Sequence, residues 1–379
     1  MDAMPSPLII PAHQGPRLVL FAYSHVGACA LRYLLERQAP LVAVFTHEDK
    51  PGENIWFESV KDLAQAHGLP VYTPGSLSQL KNPTLTQWWH SQLRPDLVLS
   101  CYYRHLIPMG LLDVARLGAF NLHGSLLPRY RGRACIHWAL IHGETQTGVT
   151  LHTMVKAADA GDIVDQEAFD IGPFDDALDV THRAGEAART LLARQYEALL
   201  AGRAPRRAQD HSQATVFGGR RPEDGRIDWS QTAQGIHNLV RAVTRPFPGA
   251  FSDQLVAGQR AYLWRSRPYT DLASLEQAQG PIGQLAKDKA PARSATANGQ
   301  AQPRSWNSAQ TSAAGPAGEL QGQRGTQLGP GTTPQPAAPC QAAAPGTLLA
   351  CSPTALVVAA GQGSVLYVSD YSLEPLTTT

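Results

Sequence analysis

Between residues 17 and 103 the chain alternates short, almost uninterrupted apolar runs with longer stretches of helical periodicity. RLVLFAY (17–23), LVAVFTH (41–47), LPVYTP (69–74) and DLVLSCYY (96–103) read as strands. A helical pattern through Ala30, Leu34 and Leu35, the segment SVKDLAQAHG (59–68) and a helix carrying Trp88 and Trp89 fill the gaps. Strands this apolar are buried on both faces, as happens when helices cover a parallel sheet from two sides. GAFNLH (118–123) continues the series. The predicted fold class is therefore α/β with a Rossmann-like parallel sheet, whose ligands bind beyond the carboxyl ends of the strands.

The first strand-to-helix turn, Ala22-Tyr-Ser-His-Val-Gly27, has one glycine where a dinucleotide fold would carry GxGxxG. Hydride transfer with a nicotinamide cofactor loses most of its support there. A single helix is expected over 175–202, capped by Asp175 or Asp176, with Ala188, Leu191, Leu192, Tyr196 and Leu199 on its apolar stripe. A second module begins near Thr215, with a helical piece at 236–243 and a strand-like run at 260–264. Over 289–345 the large apolar residues are Trp306, Leu320 and Leu328 alone, amid Ala, Gly, Pro, Gln, Ser and Thr. Such a segment cannot bury enough surface to offset ~1–2 kcal/mol of ordering entropy per residue, so a disordered insertion is expected. Strand patterning resumes in TLLACSPTALVVAAGQGSVLYVSDYS (347–372). The domain reading is an N-terminal extension at 1–16, an α/β unit at 17–205, and a small unit split between 215–267 and 346–374.

Thirty-two basic and 31 acidic side chains leave a net charge of +1, without the basic surplus of a general polyanion binder. Five cysteines form no CxxC or Cys/His ladder, so neither a zinc module nor a disulfide framework is expected, and no metal is called for. The most apolar stretch, 18–35, is interrupted by Ser24, His25 and Arg32, and the N-terminus has Asp2 where a leader would be basic. No membrane insertion and a cytoplasmic location are the expectations.

The densest polar cluster is NLHGSLLPRYRGR (121–133). Asn121 and His123, two apart at the end of an apolar run, would face one side of a strand. An amide beside an imidazole suits the stabilisation of charge on a carbonyl oxygen during acyl transfer. Spacing alone favours the plainer reading, in which Asn121 ends a strand and His123 is a hydrogen-bonded loop residue. Asp159 and Asp162 flank Gly161 between two strand-like segments. An aspartate there is ordinarily a turn former, but a loop folded over Asn121 and His123 would let it orient the imidazole.

NLHGSLLPRYRGR, GVTLHTMVKAADAGDIV, CYYRHLI and RAVTRPFPGAFS resemble the 10-formyltetrahydrofolate-dependent formyltransferases. THEDKPGENIWFESV and SCYYRHLIP resemble in particular the branch that formylates UDP-4-amino-4-deoxy-L-arabinose for lipid A modification. The likeness covers roughly 17–265 and resumes at Gly346. It implies that the small unit is an OB-like β-barrel interrupted by the insertion. It also implies that Asn121 stabilises the transition state, that His123 is the proton donor, and that Asp159 raises the pKa of His123. The folate co-substrate would be held by His105, Leu106, Ile107, Arg133 and the loop Val155, Lys156, Ala157, Ala158 and Asp159.

For the acceptor, the resemblance implies a nucleotide-sugar substrate. A methionyl-tRNA formyltransferase shares the trio but must grip RNA, and its loop after the second strand is typically basic. Here 46–60 holds Glu48, Asp49, Glu53 and Glu58 against Lys50, which speaks against a nucleic-acid partner. Another nucleotide-linked aminosugar and a non-enzymatic scaffold are the remaining alternatives. Arg220 and Arg221 are candidates for the diphosphate, or else solvated loop charges, and Gly219 stands where the family leads one to expect an arginine. The chain ends at Thr379 with no second GxGxxG unit, so a stand-alone transferase is expected. Homo-oligomerisation and association with a separate dehydrogenase stay open.

Overall fold

The computed structural model describes residues 15–49, 52–76, 81–280 and 343–376. The insertion expected at 289–345 and the extension expected at 1–16 fall almost wholly outside the described residues. The first five strands are β1 (Leu18–Ala22), β2 (Leu41–Phe45), β3 (Val71–Tyr72), β4 (Leu97–Cys101) and β5 (Gly118–His123). A two-residue strand β6 (Arg131–Gly132) stands apart, and a hairpin of β7 (Gln146–Thr153) and β8 (Ile163–Asp170) follows. β1 to β5 pair in parallel and the hairpin joins antiparallel, giving the order β3-β2-β1-β4-β5-β7-β8. The sheet is thus Rossmann-like with an antiparallel edge.

Alternation along β1 shows why the run is apolar throughout. Leu18, Leu20 and Ala22 enter one core cluster, while Val19 and Phe21 enter another on the opposite face. The helices Ser24–Glu36 and Ala177–Leu200 cover the first face. Trp88 and Trp89 pack with Phe21 and Phe45 in the second cluster. The long helix starts where an aspartate can accept: Asp176 takes the N–H groups of Leu178 and Asp179, a cap worth about 0.5–2 kcal/mol.

The short strand β9 (Val216–Phe217) pairs with β6. Next come β10 (Ala250–Val256), β11 (Gln259–Tyr269), β12 (Leu348–Ser352), β13 (Ala355–Ala359) and β14 (Val365–Pro375). These last five form a curled antiparallel sheet in the order β10-β11-β14-β13-β12. β11 is paired on one side only by β14, from Gln259↔Pro375 to Tyr269↔Val365, so this sheet is completed by strands from beyond residue 342. The helix Ala233–Val243 packs on it through Ile236 and Val240. The same helix binds the first unit, since Arg241 donates to the Gly172 and Asp175 carbonyls, both at 3.2 Å. No helix among the described residues is long and apolar enough to cross a membrane.

Candidate active site

β5 ends in the polar cluster, and its register with β7 sets Asn121 directly opposite His152. The Asn121 amide donates from Nδ2 to His152 Nε2 at 3.1 Å. His152 donates from Nδ1 to the Thr153 carbonyl at 2.9 Å, which leaves Nε2 as the acceptor and so fixes the amide with its NH2 toward the ring. His152 is the residue of this centre that sequence patterning does not single out. Its side chain is buried in a strand of mixed polarity, Gln146–Thr153, where no spacing marks it.

His123, 7% exposed, donates from Nε2 to the Tyr130 carbonyl at 2.8 Å. Its Nδ1 lies 3.5 Å from Asp159 Oδ1, and His152 Nε2 lies 3.6 Å from the same oxygen. Asp159 projects from the β7–β8 loop, which folds over the end of β5. Its other oxygen, Oδ2, accepts the Gly132 N–H at 2.8 Å. Two glycines make this approach possible. A Cβ on Gly161 would sit 1.9 Å from the Thr153 carbonyl oxygen, and one on Gly124 would sit 1.8 Å from the Tyr102 hydroxyl.

The loop between β5 and β6 is pinned on both sides. Thr150 donates its hydroxyl to the Ser125 carbonyl at 2.6 Å and accepts the Leu127 N–H at 3.1 Å. Across from it, the Arg131 and Arg133 N–H groups donate to the Thr215 and Phe217 carbonyls. The segment leading into the second unit therefore holds the cluster in place.

Burial raises the Asp159 pKa, but the charge that His123 takes on in acid and the Gly132 N–H outweigh it and bring the value to about 2. For His123, burial pulls the pKa down and overrides the upward pulls of Asp159 and the Tyr130 carbonyl. The expected upward pull of Asp159 on this pKa is present, but it does not decide the net shift. The carboxylate acts in the expected direction, but loss of hydration at a buried ring outweighs it. Burial thus favours the neutral form of the ring.

Burial also depresses His137 and His237, and lowers His25 and His47 to about 4. A histidine whose folded pKa lies below its unfolded value of about 6.5 stabilises the fold least in acid. As pH falls from 6.5 towards 4, the unfolded chain takes up protons that the folded one refuses. The melting temperature is expected to be lower at pH 5 than at pH 7; an equal or higher value at pH 5 would contradict these shifts.

Of the expected co-substrate residues, the Val155–Asp159 loop carries Asp159 itself, and His105, Leu106 and Ile107 follow β4, the parallel neighbour of β5. Ile107 is buried in the second core cluster and His105 packs its ring against His47, with centroids 4.9 Å apart. Leu106 is 67% exposed, and Val155, Lys156, Ala157 and Ala158 are exposed beside Asp159. Arg133 lines a cavity of about 240 Å³ together with Arg220, Arg221, His137 and Phe247. Arg220 lies over the Trp138 ring at 4.9 Å and donates to the Asp224 carbonyl. Arg221 engages Asp224 through its backbone N–H. Among the described residues no group of three or more His, Cys, Asp or Glu side chains is arranged to hold a metal.

The family model for formyl transferase matches residues 22–195, and the model for the formyl transferase C-terminal domain matches residues 220–301, together well over half of the chain. The chain belongs to the formyltransferase family. Solved structures of similar fold include the N-formyltransferase from Helicobacter canadensis in complex with folinic acid and dTDP-3-aminofucose. It is 19% identical, with a TM-score of 0.54, over 68% of this chain and 89% of that one. WlaRD, a sugar 3N-formyl transferase with dTDP and 5-N-formyl-THF, is 18% identical, with a TM-score of 0.53, over 69% and 89%. HypX from Aquifex aeolicus is 16% identical, with a TM-score of 0.53, over 96% of this formyltransferase, which spans 45% of the HypX chain.

Proposed function

We propose that this formyltransferase moves a formyl group from 10-formyltetrahydrofolate to the amine of a nucleotide-linked aminosugar. The favoured acceptor is UDP-4-amino-4-deoxy-L-arabinose, for lipid A modification. The observation that carries the reading is the convergence of Asn121, His123 and Asp159, with the two ring-to-carboxylate separations given above. The Helicobacter canadensis and WlaRD structures, each with a formylated folate and a dTDP ligand, support it by analogy of fold.

In this mechanism the sugar amine attacks the formyl carbon, and the carbonyl oxygen becomes negative. Asn121, aligned by His152, donates an N–H to that oxygen, a contribution of about 2.7–4 kcal/mol. The neutral His123 ring, whose Nε2 proton is held by the Tyr130 carbonyl, takes the proton released by the attacking amine at Nδ1, the nitrogen that faces Asp159. Asp159 stabilises the resulting imidazolium, which returns the proton to the folate nitrogen as the C–N bond breaks. His105, Leu106, Ile107 and the loop from Val155 to Asp159 would hold the folate. Arg220 and Arg221, with Arg133 in the same cavity, would face the diphosphate, because guanidinium forks suit phosphate oxygens.

The loop after β2 supports a sugar acceptor over tRNA. Its acids consume nearby cations: Lys61 pairs with Glu48 at 2.8 Å, Arg104 with Glu53, and Arg32 with Glu58. Side chains engaged in this way offer little grip on an RNA backbone. The test is tetrahydrofolate release with a panel of UDP-aminoarabinose, a dTDP-aminosugar and methionyl-tRNA. UDP-aminoarabinose is expected to have the highest kcat/KM; preference for methionyl-tRNA would overturn the acceptor assignment.

A further inference from the structure

We propose that Gln209, oriented by Arg131, is a positioning residue that holds the Asp159 turn in its working geometry. This inference rests on the role given to Asp159 above.

Gln209 is 6% exposed and lies in the irregular segment between the long helix and β9. Its Nε2 donates to the Asp159 carbonyl at 2.8 Å and to the Gly161 carbonyl at 2.6 Å. Its Oε1 accepts from Arg131 Nε at 3.2 Å and Nη2 at 2.6 Å. The partners leave the amide one orientation, since carbonyls only accept and a guanidinium only donates. Both N–H groups are used, and the oxygen takes two donors.

Asp159 needs an external hold. Its φ is +55°, in the left-handed region, and the four residues before it are exposed. A non-glycine residue keeps such a conformation only where its surroundings impose it. Gln209 spans the turn and ties it down on both sides of Ala160. Its own segment is anchored at the foot of the same loop, where Ile163 and Arg207 exchange both backbone hydrogen bonds at 2.8 Å.

Arg131 sets the clamp. It is 9% exposed, and among the described residues its guanidinium forms no ion pair, being met by Gln209 Oε1 and by His211 Nδ1 at 2.9 Å. The adjacent Gly132 N–H holds the Asp159 carboxylate. The two-residue strand β6 thus controls Asp159 twice, through its carboxylate directly and through its backbone by way of Gln209. The distance from Asp159 Oδ1 to the His123 ring depends on both.

The test is Gln209→Met, which keeps the length and removes the amide. Steady-state transfer by the full chain is measured with 10-formyltetrahydrofolate and the best acceptor of the panel above. Expected are a fall in kcat of about 10–100-fold from misplacement of the carboxylate, and an acceptor KM within about 3-fold of wild type. The pH midpoint of kcat should move down, because a loosened Asp159 pulls less on His123. In an Asp159→Asn background, Gln209→Met should add little, since both changes act through one carboxylate. Unchanged kcat and pH midpoint in Gln209→Met, or an equal loss in the Asp159→Asn background, would overturn the proposal. Full transfer by Asp159→Asn alone would instead remove the reading beneath it, and the two failures are distinct. If Gln209→Met lowers the melting temperature below the assay range, Arg131→Lys serves as the second variant. Loss of the planar fork should shift the pH midpoint in the same direction, and no shift would count against the clamp.

Discussion

Replacing Asn121 by alanine is expected to lower kcat for formyl transfer by about 10²–10³, with a smaller change in the acceptor KM. The charge on the formyl oxygen exists only on the way through the tetrahedral state, so a donor aimed at it acts on the barrier rather than on substrate binding. The amide is held by a buried ring whose tautomer is fixed by the Thr153 carbonyl, so it enters the reaction with its N–H already oriented. Steady-state kinetics on a variant with an unchanged melting temperature checks this. A kcat within a few-fold of wild type would take Asn121 out of the mechanism.

Replacing His123 by alanine is expected to cost about 10²–10⁴ in kcat, the usual worth of a positioned proton-transfer group. The pH dependence makes this prediction sharper. Burial keeps the wild-type ring neutral near pH 7, so transfer should fall in acid with a midpoint below the ordinary imidazole value of about 6.5. In Asp159→Asn that midpoint should fall further, because the upward pull of the carboxylate is gone while burial remains. His123→Ala should abolish the acid limb. Effects of His123 and Asp159 replacements should not add, since the two act as one unit. An acid limb that survives in His123→Ala would assign the titration to another group, such as the acceptor amine itself.

Much of this architecture is legible in the residues. An uninterrupted apolar run means burial on both faces whatever the neighbours, so β1, β2 and β4 can be read without knowing their partners, and GAFNLH spans β5 end to end. The helix Ala177–Leu200 announces itself by its stripe and by an aspartate cap. Strand patterning does not say which way a strand runs, so the antiparallel placement of the β7–β8 hairpin emerges only with the structure. That placement puts His152 opposite Asn121. Gln209 sits in a polar stretch without periodicity, where nothing local marks it as buried. The protonation of His123 is hidden from the sequence for a related reason. Spacing suggests a nearby carboxylate, but the loss of hydration that outweighs it depends on how the whole chain packs around the ring.

The measurement that bears most directly on the central claim follows a labelled formyl carbon from 10-formyltetrahydrofolate onto UDP-4-amino-4-deoxy-L-arabinose, in the wild-type chain and in Asn121→Ala. The label is expected to move to the sugar amine with matching release of tetrahydrofolate, and the transfer rate to fall by about 10²–10³ in the variant. Label that stays on the folate with this and every other nucleotide aminosugar, or that moves equally fast without Asn121, would contradict the proposed formyl transfer.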